Sequence, residues 1–314
     1  MGRYIAGRIL WMIPTLLLMS LAIFFLMHAT PGSPFQAEKT TAGYIENLNK
    51  QYGLDKPLPV QYVVWIGNVL HGEFGYSTFF KSRKVQEIIR EQFPVSLKIG
   101  FIATIFSFVG GIALGVLAAV NQNGPLDYLS TLLAIIGASL PNFVAAFLLL
   151  FLTVIVLPGT FHLNLGFKTT WSGTPKDYIL PVLALSFLPL ATITSYTRAT
   201  MLDAIRSDYV RTARAKGVGE QRVIGRHVLK NALMPAITLI GPIFAGIGTG
   251  TFVVEQTFGI PGIGKYFVTS LNNRDYPMIM AIFLLFGAFL TVMTLVFDVV
   301  YGMIDPRVRF VGRG

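Results

Sequence analysis

The sequence predicts an all-α membrane protein of six transmembrane helices, with an extracytoplasmic insert between the first and the second. Three observations predict it. Of 314 residues, 53% are hydrophobic and only 13% are charged, where soluble domains carry about 25% charged residues. Six separate apolar stretches are each long enough to cross a hydrocarbon core of about 30 Å at 1.5 Å per residue. The charges collect between those stretches rather than within them. The absence of cysteine excludes disulfides, thiolate metal sites and cysteine nucleophiles. A net charge of +10 does not point to nucleic acid, because the basic residues sit at the ends of apolar spans.

Residues 1–29 hold a short N-terminus and span one, Ile9–Ala29, preceded by Arg3 and Arg8. A cleaved signal peptide has an apolar region of about 7–15 residues. This one is longer and ends in HATPGSPF, so the span is expected to be retained. Residues 30–94 form a mixed-charge insert, too long for a structureless loop. Within it YIENLNKQYGL and PVQYVVWIGNVLHG read as short helices. KSRKVQEIIREQF places Val85, Ile88 and Ile89 on one face, which predicts a helix lying along the membrane surface before Pro94 turns the chain inward.

The transmembrane core is expected over 95–301. Span two is Val95–Val120, where Lys98 can snorkel and Gly111 and Gly115 form a G-x-x-x-G that allows close helix packing. NQNGPLD is a short turn. Span three, Tyr128–Leu157, is long enough to tilt, and Pro141 is placed to kink it. Spans four, five and six are Tyr178–Tyr196, Leu233–Val254 and Pro277–Tyr301, the fifth rich in glycine at 241, 246, 248 and 250. A tail, 302–314, follows.

Between spans four and five lies the longest polar interval of the second half, 198–235. It carries Arg198, Arg206, Arg211, Arg214, Lys216, Arg222, Arg226 and Lys230 against Asp203, Asp208 and Glu220. The pattern is helix, glycine break, helix. Leu202, Ile205, Tyr209 and Ala213 recur at three and four. Ser207 and Asp208 are placed to cap a fresh turn starting at Tyr209. Gly217 is placed as a left-handed stop. A second, amphipathic helix starts near Glu220, with Arg222, Arg226 and Lys230 on one side and Ile224, Val228, Leu229, Ala232 and Leu233 on the other. Pro235 bends the entry to span five. One reading is a loop made basic by the positive-inside rule. The other is a small helix presented to a soluble partner that pushes on the membrane part.

At these residues the chain resembles the ABC importer permeases. DYVRTARAKG followed by HVLKNALMP is similar to their cytoplasmic loop, and most similar to that of the subfamily importing dipeptides, oligopeptides and sometimes nickel. Of the general importer motif only Ala213, Gly217 and Leu229 fit. Arg211, Thr212, His227 and Lys230 depart from it, in the way the peptide subfamily departs. YGLDKPLPVQY, GEFGYS, MHATPGSPF (with Ser33 where that subfamily usually has an acid), NNRDYP and DVVYGMIDPRVR extend the resemblance over nearly the whole chain. It implies the type I importer permease fold and the first, B-type, of two permeases. It also implies a second permease subunit, two cytoplasmic ABC ATPases and an extracytoplasmic solute-binding protein around this chain in a bacterial or archaeal cytoplasmic membrane. Asp208, Tyr209, Arg211, Thr212, Ala213, Arg214, Lys216 and Gly217 become the expected ATPase-coupling residues. The 209–216 helix is then expected to sit in a cleft of one ATPase and to tilt the spans.

Six spans put both termini on one side. That side, which includes the 198–235 loop, holds thirteen basic residues against four on the other, Lys168, Lys176, Lys265 and Arg274, with the long insert and Lys98 left out of the count. The termini and the loop are therefore expected to be cytoplasmic. GIPGIGKY at 259–266 nearly spells a phosphate-binding loop. It fails at Tyr266, where a magnesium-binding hydroxyl is needed, and no strand precedes it. The chain is thus expected to have no ATPase of its own and no cofactor. Glu255 and Asp298 each sit within a few residues of a span end; each is either a functional group or an interfacial or helix-packing carboxylate. Ser139 and Asn142 flank the Pro141 kink, and Ser186, Thr192, Thr194 and Ser195 lie in or near span four. Ser139, Asn142, Ser186 and Glu255 are the candidates to line a passage; the hydroxyls equally suit bonds back to helix carbonyls. His28, His71, His162 and His227 have no metal-ligand spacing, so no metal is expected. A stand-alone secondary transporter or channel would need charge near the midplane, and an intramembrane enzyme a paired nucleophile and base; neither is visible.

Overall fold

A computed structural model describes residues 2–29, 56–80, 83–248 and 252–304. The expected helix in YIENLNKQYGL, Ser33, Gly250 and the tail beyond 304 lie outside the described residues. The described chain is helical, with one isolated antiparallel bridge, Tyr76 to Lys84. The helices are α1 Gly2–Ala29, α2 Leu58–Leu70, α3 Val85–Val120 and α4 Pro125–Ser139. They continue with α5 Asn142–Phe161, α6 Ile179–Ile205 and α7 Asp208–Ala215. α8 begins as Glu220–Arg222, passes through a π segment Val223–Val228 and continues as Leu229–Gly248. α9 Phe252–Thr257, α10 Ile263–Asn272 and α11 Tyr276–Ile304 complete the series. Five of these helices are long and apolar enough to cross a membrane, or six when the bent α8 counts as one span.

Packing divides the chain into two units, residues 1–96 with 261–292 and residues 97–260 with 293–314. The first holds two apolar clusters. In one, Ile23 and Phe24 of α1 meet Tyr276, Ile279 and Met280 of α11, with Tyr62 and Trp65 of α2 packed alongside. Ser20 and Tyr62 tie α1 to α2 through their hydroxyls at 2.8 Å. In the other, Val85 and Ile88 meet Ile263, Met278 and Ile282. The carboxylate of Asp275 is fully buried and accepts hydrogen bonds from the Ser77 hydroxyl and the Thr78 amide, so NNRDYP fastens the 77–79 turn to the start of α11.

The amphipathic segment before Pro94 corrects one expectation. It does not lie apart along the membrane surface: α3 is a single helix of 36 residues that runs through Pro94. Proline removes one hydrogen bond, to the carbonyl four residues back. The burial of Val85 and Ile88 in the second cluster offsets that loss.

In the second unit α6 is the central element. α3 runs parallel to it, because Ser107 and Ser186, Gly111 and Ile193, and Gly115 and Thr197 face each other in sequence. α4 runs antiparallel, with Asp127 on Arg198 and Gly137 against Phe187. The two glycines of span two do what the motif predicts: a Cβ on Gly111 would stand 2.7 Å from Ile193 Cβ, and one on Gly115 2.6 Å from Thr197 Cβ. Pro141 does more than kink span three. The helix ends at Ser139, Leu140 is extended (φ −92°, ψ 116°), and α5 restarts at Asn142, as the residue before a proline is pushed out of the helical region. Span four is longer than expected, reaching Ile205. Span five bends by 49° between Ala232 and Met234, just ahead of Pro235, as expected.

Candidate functional site

Helix α7 is short because both its ends are set locally. Arg206 closes α6, and Ser207 (φ −71°, ψ 154°) stands at the N-cap position of α7. Its hydroxyl donates backward to the Ala204 carbonyl at 2.5 Å, so it does not cap the new helix. Asp208 opens the first turn and Arg214 lies in the last, both favourable to the helix dipole. At the far end the Val218 amide reaches the Ala213 carbonyl at 3.2 Å and the Gly217 amide the Arg214 carbonyl at 2.9 Å. With Gly217 at φ +76°, this is the Schellman stop that only glycine, or less well asparagine, accepts.

The underside of α7 is apolar. Val210 and Ala213 are buried with Ala119 from the end of α3, Met201 from the end of α6, and Val223, Val228 and Ala232 from the start of α8. Thr200 adds a hydrogen bond from α6 to the Ala232 carbonyl at 2.8 Å. A helix of eight residues cannot stand alone in water; this one is seated on the ends of three membrane helices. The expected face was misphased. Leu202 and Ile205 belong to α6, and the break at 206–207 resets the rotation, so Tyr209 turns outward, 42% exposed, and Val210 takes the buried place. Ala213 belongs to the seat. Asp208, Tyr209, Arg211, Thr212, Arg214, Lys216 and Gly217 are exposed.

Not all of that outer face is free to meet a partner. The Arg214 guanidinium grips Glu220 with two hydrogen bonds, 2.6 and 3.1 Å, across the Gly217 corner. That contact holds the Glu220 carboxyl below the ordinary carboxylate range. Arg211 reaches Asp208 only at 3.6 Å with both side chains largely exposed, a contact worth little. In the second helix Arg222, Arg226 and Lys230 are exposed as expected, while Val223, absent from the expected apolar side, is fully buried because the π segment shifts the register.

A pair missed by sequence reasoning locks the same end of the bundle. Asp127, buried in the first turn of α4, accepts hydrogen bonds from Arg198 Nε and Nη2 at 2.6 and 2.7 Å and from the Asn123 amide at 3.0 Å. NQNGPLD reads only as a turn, and a partner 71 residues away has no local signal.

The passage candidates separate. The Ser139 hydroxyl donates to the Ile135 carbonyl at 2.7 Å from an exposed position. Asn142 opens α5 with its Oδ1 buried and without a partner among the described residues. α9, which carries the buried Glu255, packs against α5. Ser186 is fully buried and donates to Val182 and Ala103 carbonyls at 2.6 and 3.2 Å, the helix-gluing use of a hydroxyl. Thr192, Thr194 and Ser195 bond back to carbonyls one turn earlier. At GIPGIGKY the element ahead of the loop is α9, not a strand, and the Ile263 amide is taken by the Ser96 hydroxyl at 2.9 Å. No cluster of three metal-ligating side chains occurs among the described residues.

Comparison with known proteins places these observations. The model of the family "binding-protein-dependent transport system inner membrane component" matches residues 111–310, and the N-terminal model of the same system matches residues 1–100. A dipeptide transport system permease protein of Bacillus subtilis is 40% identical over 315 residues, spanning all of both chains. An oligopeptide transport system permease protein of Haemophilus influenzae is 38% identical over 314 residues, 99% of this chain and 100% of its own. Among solved structures, the MetNI methionine ABC transporter in inward-facing conformation aligns with a TM-score of 0.55 at 16% identity, over 69% of this chain and 96% of that one. An amino acid ABC transporter crystallised with histidines aligns at 0.51 and 17% identity, over 71% and 94%. These structural likenesses are likenesses of fold, and the fold is that of the type I importer permeases.

Proposed function

Because this chain belongs to the family of binding-protein-dependent transport system inner membrane components, we propose that it forms half of a translocation pathway for di- or oligopeptides. It is the membrane-spanning permease of an ATP-driven ABC importer, and ATP is hydrolysed by partner subunits. The stand-alone transporter and intramembrane enzyme readings are set aside. Its partners are an ATPase and a substrate-binding protein. The finer assembly proposed is a second permease of the same fold, two cytoplasmic ATPases and a binding protein delivering solute on the extracytoplasmic side. Both termini and the α7 loop face the cytoplasm.

The observation that carries the coupling assignment is the seat of α7. A push on the exposed face of Asp208, Tyr209, Arg211, Thr212 and Lys216 is passed by Val210 and Ala213 to the ends of α3, α6 and α8 together. Arg214 keeps the corner rigid through Glu220, and Gly217 sets its direction. Ser139, Asn142 and Glu255 support a polar stretch at the Pro141 break; Ser186 serves packing. The test is uptake by proteoliposomes holding the complete complex. A labelled dipeptide should accumulate only with ATP on the α7 side and binding protein on the other. Accumulation without ATP, or of amino acids but not peptides, would overturn the coupling or the solute class respectively.

A further inference from the structure

We propose that Lys98 and the apolar groove beside it hold one phospholipid with an anionic headgroup, phosphate at the ammonium and one acyl chain along α3. Lys98 is the sole charged residue of α3 beyond Glu91. Among the described residues it has no carboxylate partner; its ammonium lies 4.8 Å from the centre of the Tyr178 ring. A lysine and a tyrosine at the end of a span mark the interface between headgroups and hydrocarbon. From there a hollow of about 440 Å³, lined by Lys98, Ile102, Phe106 and Tyr178 among others, opens between α3 and the start of α6. It shares Ile102 and Phe106 with a second hollow of about 540 Å³, lined by Phe101, Ile102, Ile105, Phe106, Val109 and Gly110.

The two adjoin along Ile102 and Phe106, and the second, lined by α3 alone, has no polar lining residue. Phe101, Ile105 and Val109 are 55%, 47% and 61% exposed. The dimensions fit one leaflet. From Phe101 to Gly110 the helix rises about 14 Å, and half of a bilayer's hydrocarbon core is about 15 Å. A polar solute would leave its amides unpaired along such a wall. An acyl chain has none to satisfy, and the lipid's phosphate meets an ammonium that has no carboxylate partner among the described residues.

The test uses the complete complex in detergent, offered phosphatidylglycerol and phosphatidylcholine of equal chain length and read by native mass spectrometry. The wild type should retain phosphatidylglycerol about fivefold over phosphatidylcholine, the preference expected of one lysine near an anionic headgroup. Lys98→Gln should abolish the preference and Lys98→Arg keep it. Val109→Trp, which fills the groove without touching the charge, should reduce retention of both lipids. Equal retention by wild type and Lys98→Gln would overturn the proposal. So would loss of the second permease from the Lys98→Gln complex, which would make the groove a protein interface.

Discussion

Gly217 ends α7 at φ +76° in a Schellman stop that spans about six consecutive residues. A Cβ there would meet nothing within 4 Å, so the penalty for any other residue is purely that of the left-handed backbone, about 1–2 kcal/mol. Gly217→Val should therefore leave abundance and insertion intact while cutting ATP-driven uptake about tenfold, and Gly217→Asn should keep most of it. Wild-type uptake in Gly217→Val would reduce α7 to a solvated loop. Arg214 makes a different prediction. Its partner Glu220 has a folded pKa below the unfolded one, so the clasp is present above about pH 4.3 and is lost as pH falls through the lower, folded value. Spin labels at 211 and 222 should show a distance distribution that broadens below that range, in high salt, and in Glu220→Gln at pH 7. The swap of Arg214→Glu with Glu220→Arg should narrow it again. Unchanged distances in Glu220→Gln would show that the glycine turn alone fixes the corner.

Among the elements, local signals carried the helices and long-range contacts decided their joints. The G-x-x-x-G of α3 was readable, but which helix it approaches was not, since Ile193 and Thr197 lie some eighty residues on. Pro94 and Pro141 look alike in sequence and act differently. Pro94 is carried inside a continuous helix by the burial of Val85 and Ile88, whereas Leu140 before Pro141 has gone extended. Tyr209 faces outward, against the periodicity of Leu202 and Ile205, because the helix that carries them ends at Arg206. The close approach of α3 to α6 gives a sharp contrast. Gly115→Val must push its Cβ against Thr197 Cβ and the Thr194 carbonyl, 2.6 and 2.8 Å away. It should destabilise the purified complex by about 1–3 kcal/mol. Gly246→Ala meets nothing within 4 Å and should leave thermal stability unchanged. If both variants melt with the wild type, α3 and α6 are not in close contact.

For the molecule as a whole, direction through the membrane follows from contacts and charge together. Within the second unit α3 and α6 run parallel; α4 runs against α6, with Asp127 on Arg198 and Gly137 on Phe187, and α8 runs against α3, with Ala232 by Ala119 and Gly248 by Gly100. The turn at 121–124 and α7 therefore share one end of the bundle, since Ala119 packs with Val210. The start of α6, with the Lys98 ammonium over the Tyr178 ring, marks the other. Which end is cytoplasmic is set by the excess of Lys and Arg. Three of the basic residues in that excess, Arg198, Arg211 and Arg214, are paired with acids. The rule counts Lys and Arg and gives acids little weight, so the pairing leaves the expected orientation unchanged. The chain lacks cysteine, so single cysteines report without background. Gln122→Cys and Ala215→Cys, both exposed, should react with a membrane-impermeant maleimide only after permeabilisation. Lys168→Cys and Asn272→Cys, also exposed, should react in intact cells. Labelling of Ala215→Cys from outside would place α7 beyond the reach of any cytoplasmic ATPase and remove the basis of the coupling assignment. Labelling of Gln122→Cys and Ala215→Cys on opposite sides would contradict the packing of Ala119 against Val210 itself.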